Sequence, residues 1–223
     1  MHNIDNDNAN RITTKKQKER SFMDYVFRPA EPDEIDEIFS LFEERVAWMD
    51  EKGLRQWNAT NYLNIYTRSF FRQEQKNQHL YVLTNGEIAG AVVMLDEDER
   101  WPEKTASSAL YLHNLVVSLS LKGFGHRMLA EAEKVALQKE KEYVRLDCND
   151  DNEFLNCFYE SEGYVIAGEC REGLYHGYLR EKKLCRSHAG AYAEPVYDGL
   201  RTMRQNCGVC TWSVEDESPL SEQ

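Results

Sequence analysis

Gly123 and Gly125 stand one residue apart in "SLKGFGHRML", where an apolar run ends and a helical pattern begins. A helix N-terminus carries unpaired backbone N–H groups and a partial positive charge, so a loop that brings anionic oxygens against them makes a phosphate site. Glycines allow the close approach and the positive φ that such a loop needs. Lys122 on one side, with His126 and Arg127 on the other, adds a local basic spot to a chain of net charge −12. Two glycines can equally serve only to turn the chain, and the loop alone leaves both readings open. Downstream, in "DNEFLNCFYESEG", helical spacing puts Asn152, Leu155 and Tyr159 near one face. A helix tyrosine is ordinarily a core residue with its hydroxyl satisfied locally.

The elements that must position these residues follow from periodicity. "DYVFRPA" reads as a short strand. In "EPDEIDEIFSLFEERVAWMDEKG" the residues Ile35, Ile38, Phe39, Phe42, Val46 and Met49 recur at helical spacing, with Pro32 and Asp33 suited to the first turn and Gly53 to the stop. Residues 60–76 are expected to form a second helix. "HLYVLTNGEIAGAVVML" is two strands joined at Asn85-Gly86, a strong hairpin signal. Then come the strand "SALYLHNLVV", the glycines with their helix, the strand "YVRLDC", the helix containing Tyr159, and the strands "YVIAGEC" and "GLYHGYLREKKL". The order β, α, α, β, β, β, α, β, α, β, β predicts an α/β fold, a mixed central sheet with helices on its faces. The hairpin strands must be antiparallel and the 109–148 βαβ unit parallel. Ligands in such sheets sit beyond the carboxyl ends of parallel strands, which is where the glycines lie.

Composition narrows the function classes. The chain has 223 residues, 41% of them hydrophobic, enough for a substantial core. The acidic balance argues against general affinity for nucleic acid or anionic membrane. No apolar run approaches the roughly 18 residues of a membrane span, and residues 1–22 lack a signal-peptide pattern, so a cytoplasmic protein is expected. Cys148, Cys157 and Cys170 lie within apolar patterns, as small hydrophobes would. The Cys207/Cys210 pair lacks the second pair or histidines a zinc site needs, so no metal is expected. Residues 1–22 read as a flexible polar extension, 23–186 as the domain, and 187–223 as a C-terminal extension, flexible or docked on the domain or on a second copy.

The order strand, Gly-x-Gly, helix, strand, then N-x-x-L-x-x-F-Y-x-x-x-G-Y (Asn152 to Tyr164) and strand resembles the GNAT superfamily of acetyl-CoA-dependent N-acetyltransferases, from about residue 24 to 184. The resemblance implies about seven strands flanked by about four helices, with a splayed central strand pair. It implies that Leu115, Val116 and Val117 pair with the pantetheine arm, and that Lys122, Gly123, Phe124, Gly125 and His126 hold the pyrophosphate. It makes Asn152 a cofactor contact and Tyr159 the group that protonates the departing thiolate. The phosphate loop departs from the family's R/Q-x-x-G-x-G/A pattern. In the register set by the helix, Ser120 stands where Arg or Gln belongs, and the segment is about two residues short. That register is favoured because Met128, Leu129 and Ala132 must face the sheet.

Attack on a thioester needs a neutral amine and a proton acceptor. His113, on the strand before the loop, is the first candidate, ahead of Glu87 and Asp147, although a strand histidine can equally be structural. The family's acceptor pocket lies between the first helix pair and the last strands, which nominates Trp48 and Trp57, with Tyr62 and Tyr66, as an aromatic wall. An acidic surface favours a small-molecule amine over a peptide as substrate, and the family's habits allow a homodimer. A GNAT-like domain that binds acyl-CoA for regulation and has lost catalysis is the alternative reading.

Overall fold

The computed structural model describes residues 24–101 and 108–185. The proposed extensions 1–22 and 187–223, with Cys207 and Cys210, lie outside the described residues. Seven strands, β1 (Val26–Pro29), β2 (Leu80–Thr84), β3 (Ile88–Leu95), β4 (Ala109–Val117), β5 (Tyr143–Asn149), β6 (Val165–Glu172) and β7 (Tyr175–Lys183), form one open sheet in the order β1-β2-β3-β4-β5-β7-β6. All neighbours are antiparallel except β4 and β5, the pair joined by the glycine loop and its helix.

Helices α1 (Ile35–Glu51), α2 (Tyr62–Ile65) and α3 (Arg68–Lys76) cover one face. Their core holds Ile35, Ile38, Phe39, Phe42 and Phe71 against Leu80, Val82 and Val93. Helices α4 (Phe124–Gln138) and α5 (Glu153–Ser161) cover the other, with Met128, Leu129, Ala132 and Ala136 fully buried against Met94, Leu110 and Leu146. β3 is buried from Ile88 to Met94, because a strand sandwiched between two helical layers has no solvent face and needs an unbroken apolar run. The helical phase that put Met128, Leu129 and Ala132 on the sheet is therefore the observed one.

The single helix expected over 60–76 is instead two. Tyr66 leaves helical geometry at φ −95°, ψ 76°, and the Thr67 side chain accepts from the Phe70 N–H to cap a new helix. The break lets Tyr62 and Phe71 both reach the core beside Phe42.

Two local features shape the centre of the sheet. First, β4 carries an extra residue opposite β3, between the pairs Val93↔His113 and Ala91↔Val116, and Asn114 takes up the bulge at φ 52°. Second, β4 and β5 pair only from Ala109↔Tyr143 to Leu112↔Leu146 and then part. β5 keeps its ladder with β7 to Asn149↔Gly177, and β4 keeps its ladder with β3 to Val117↔Gly90. Each diverging strand thus presses on a glycine of its outer neighbour. A Cβ on Gly90 would stand 2.7 Å from the Val116 carbonyl oxygen, and one on Gly177 would stand 2.7 Å from that of Cys148.

Candidate active site

The splay opens beside the N-terminus of α4. Gly123 is the N-cap in left-handed geometry, φ 83°, and makes no side-chain cap of its own. A glycine N-cap carries no side chain to occupy the helix start, which suits the close backbone approach an anion site needs. Gly125 has a different reason to be glycine: a Cβ there would lie 3.3 Å from the Phe158 ring of α5. The Phe124 side chain is buried edge-on against Tyr25, so only its backbone faces outward chemistry. Lys122 is exposed, whereas His126 is held, its Nδ1 2.7 Å from Glu162 Oε1 and its ring edge-on to Phe158. Arg127 donates to the Tyr25 carbonyl at 2.6 Å. Of the predicted basic spot, then, Lys122 extends into solvent while His126 and Arg127 tie α4 to its neighbours.

Leu115, Val116 and Val117 lie on the part of β4 beyond its pairing with β5. The Val117 carbonyl accepts from Arg45 Nη2 of α1 at 2.6 Å. Burial lowers the pKa of that guanidinium.

Asn152 is the N-cap of α5. Its Oδ1 accepts from the Leu155 N–H at 3.0 Å, and its Nδ2 donates to Gln56 Oε1 at 2.8 Å. Gln56 is a buried polar residue 96 positions away, on the connection between α1 and α2, so the Asn152 amide ties that connection to the floor of the splay. Tyr159 is 7% exposed and packs against Phe158 and Tyr164. Burial first, then the neighbouring Cys148 and Asp147, drives its hydroxyl well above the usual phenol range, so it stays protonated at neutral pH. Beneath it Cys148 Sγ meets Asn156 Oδ1 at 3.3 Å, Arg180 Nη2 donates to the same oxygen at 2.8 Å, and burial pushes the Cys148 thiol up to about 11.

On the opposite side of the sheet the aromatic residues pack inward on one another. Trp57 stacks on Tyr62 with centroids 4.5 Å apart, and Tyr66 lies 4.6 Å from Tyr62. Trp48 sits under Arg45, away from this stack. Asn114 Nδ2, from the β4 bulge, donates to the Tyr62 hydroxyl at 2.6 Å, and burial raises that phenol's pKa far above its ordinary value.

His113 is the first β4 residue after the last rung shared with β5. It borders a cavity of about 500 Å³ shared with Leu95, Asp98, Arg100, Cys170 and Tyr175. Its Nε2 lies 3.2 Å from Asp98 Oδ2. Burial pulls the Asp98 carboxyl up, but the His113 ring and the Arg100 N–H outweigh it and leave that carboxyl below its usual range. Asp147, the weaker base candidate, has both oxygens engaged, one by Arg100 Nη1 at 2.8 Å and the other by the Tyr175 hydroxyl at 2.6 Å. A carboxylate so saturated is a strut. Glu87 is exposed in the β2–β3 turn. No group of three or more potential metal ligands exists among the described residues.

Sequence reasoning passed over Asp98, Arg100, Gln56 and Arg45. Asp98 and Arg100 sit in "LDEDER", a charge run of the kind that normally marks a solvated loop. Gln56 and Arg45 act across the fold, and nothing local distinguishes them.

Among the described strands, the one parallel pair of an open mixed sheet parts at a glycine-led helix. The chain matches the Acetyltransferase (GNAT) family over residues 36–164 and belongs to it. It is 30% identical over 164 residues to the uncharacterized N-acetyltransferase YesJ of Bacillus subtilis, covering 69% of this chain and 88% of that protein. A GNAT-family acetyltransferase structure from Listeria monocytogenes superposes with a TM-score of 0.61 at 25% identity, over 72% of this chain and 95% of that one. The PaiA N-acetyltransferase of Thermoplasma acidophilum, in complex with coenzyme A, superposes with a TM-score of 0.57 at 15% identity, over 72% of this chain and 99% of that one, and shows the same fold. The protein is an acyltransferase of this family.

Proposed function

We propose that the protein transfers an acetyl group from acetyl-CoA to the primary amine of a small molecule, by direct attack within a ternary complex. The observation that carries this reading is the splay: β4 continues five residues past its last rung with β5, toward a helix whose N-cap is a glycine in left-handed geometry. In this reading Leu115, Val116 and Val117 take the pantetheine arm, and the backbone from Lys122 to His126 takes the pyrophosphate. PaiA, solved with coenzyme A, lends support for the co-substrate.

The Tyr159 hydroxyl, kept protonated by its burial, donates to the thiolate as the C–S bond breaks. Asn152 acts chiefly as helix cap and tie to Gln56, a role that shapes the cofactor floor from behind. The amine enters from the side of His113 and the Trp57–Tyr62 stack. Cys148, Cys170 and Cys185 are free thiols, which suits work in the cytoplasm.

Calorimetric titration with acetyl-CoA at about 0.1 mM protein, followed by thiol release across agmatine, spermidine and a short peptide with a free α-amine, tests this. Binding and turnover with at least one small amine are expected. The absence of heat with acetyl-CoA would defeat the reading, and binding without turnover would favour a regulatory acyl-CoA-binding module.

A further inference from the structure

The geometry points to Asp98 as the positioning residue of the proton acceptor, its carboxylate holding the His113 ring so that Nε2 carries the proton and Nδ1 is left to receive one from the attacking amine. This rests on the acetyl transfer proposed above and goes beyond it by naming the device that sets the base.

Four observations support it. His113 occupies the first position of β4 beyond the shared rungs, where the sheet opens. Its side chain and that of Asp98 are only 14% and 10% exposed, and both border the 500 Å³ cavity. Asp98 is itself held: Oδ1 accepts from the Arg100 N–H at 3.0 Å, and its carbonyl accepts from the Trp101 N–H at 3.0 Å, which leaves Oδ2 directed at the ring. Finally, His113 Nε2 is sealed from solvent and lacks an aligned hydrogen bond, with Asp98 Oδ2 at 3.2 Å as its ion-pair partner. A small ring rotation turns that contact into a hydrogen bond, as happens when catalytic pairs tighten on substrate binding. A neutral imidazole with Nε2–H toward a carboxylate has its lone pair on Nδ1.

The other charged groups around the cavity are consistent with this assignment. Arg100 is committed to Asp147 and Glu172, at 2.8 and 3.0 Å. Glu97, Glu99 and Arg171 line the outer wall, with Tyr175 bonded to Asp147. In the step, the amine nitrogen forms a bond to the acetyl carbon and loses one proton to His113 Nδ1. The C–S bond breaks, and the thiolate takes a proton from Tyr159. His113 and Tyr159 then exchange these protons with solvent, so that amine and acetyl-CoA become amide and CoA with no net proton change.

Asp98→Asn is the informative variant, because the amide oxygen still accepts the Arg100 N–H and the turn survives. We expect kcat with the best amine of the panel to fall about 10-fold or more, KM for acetyl-CoA to stay within about 2-fold, and the acidic limb of the pH–kcat profile to move to lower pH. That limb moves because loss of the negative charge disfavours the protonated ring. His113→Gln should reduce kcat at least as far, and the double variant should fall no further than His113→Gln alone. Additive losses, or an unmoved limb, would overturn the inference while leaving acetyl transfer intact. Should the wild type acetylate no amine, the functional reading fails separately. NMR titration of the His113 ring in the wild type and in Asp98→Asn then decides the pair, and identical curves overturn it.

Discussion

At the scale of single residues, the proposed chemistry rests on Tyr159 and the local geometry on the two glycines. Tyr159→Phe keeps a ring of the same shape in a site 7% exposed. We expect kcat, measured as thiol release, to fall by about 10²-fold, with the melting temperature moving less than about 3 °C. The glycines separate by mechanism. Gly123→Ala has open space for its Cβ but must hold φ 83°, which costs about 1–2 kcal/mol of stability. Gly125→Ala has no such backbone demand and instead places a methyl 3.3 Å from Phe158, pushing α5 away from α4. Urea unfolding of both, with acetyl-CoA titration, should show Gly123→Ala losing stability and Gly125→Ala changing cofactor affinity as α5 shifts. The glycine pair was legible in the sequence as a junction. That one glycine serves the turn and the other a neighbouring ring was not, because Phe158 lies 33 positions away in the chain.

At the scale of elements, the splay depends on what lies outside it. β4 and β5 can diverge because Gly90 and Gly177 let them lean outward, each within 2.7 Å of where a side chain would begin. Gly90→Ala therefore collides with a backbone oxygen and must shift β4 toward β5 or distort β3. Expected are a stability loss of about 1–3 kcal/mol by urea denaturation and a weakened acetyl-CoA titration. The Asn152–Gln56 tie is a second element-scale device. Asn152→Ala removes a helix cap and a buried partner together and should lower stability by about 1–3 kcal/mol. Asn152→Asp keeps the cap but loses the donor to Gln56, and its urea midpoint should fall between. The helices and strands could be read from apolar periodicity, which is a local property. The break at Tyr66 escaped that reading because Tyr62 and Phe71, nine residues apart and so on opposite faces of one continuous helix, are brought together only by their shared packing on Phe42, a contact from another helix.

Across the whole molecule, acid stability is set by carboxylates of opposite character. The hydrogen bond from Arg28 holds Glu34 below its usual range, and that from Lys141 does the same for Asp96. Asp98 is likewise depressed. A depressed carboxyl contributes stability that is present above its unfolded pKa and is lost as pH falls through its folded value. Glu133 has the opposite sign: burial raises it despite Lys182, so its protonation on acidification returns some stability. Melting temperature measured from pH 7 to 3 should thus drop mainly below about pH 4, and Glu133→Gln should flatten its upper part by removing the raised group. A larger effect is expected at Arg145, 1% exposed among Trp101, Tyr143 and Tyr111 and paired with Glu181 at 3.1 Å. Arg145→Ala leaves a void among the aromatic rings and removes the ion-pair partner of Glu181, for a loss of about 3–5 kcal/mol by urea denaturation.

The sequence by itself determined the order of elements, the antiparallel hairpins, the parallel βαβ unit and the helical face of α4, since each depends on residues within one or two turns or on the length of a connection. It also placed the glycine junction and Tyr159 at the same edge of the sheet. Only the tertiary structure decided which polar groups are engaged. It directs His126 to Glu162, spends both oxygens of Asp147, gives the Asn152 amide to Gln56 and brings Asp98 to His113. A side chain's chemistry is fixed by the one or two atoms within about 3 Å of its polar end. Those atoms arrive from distant parts of the chain, through strand registers and helix dockings that periodicity does not encode.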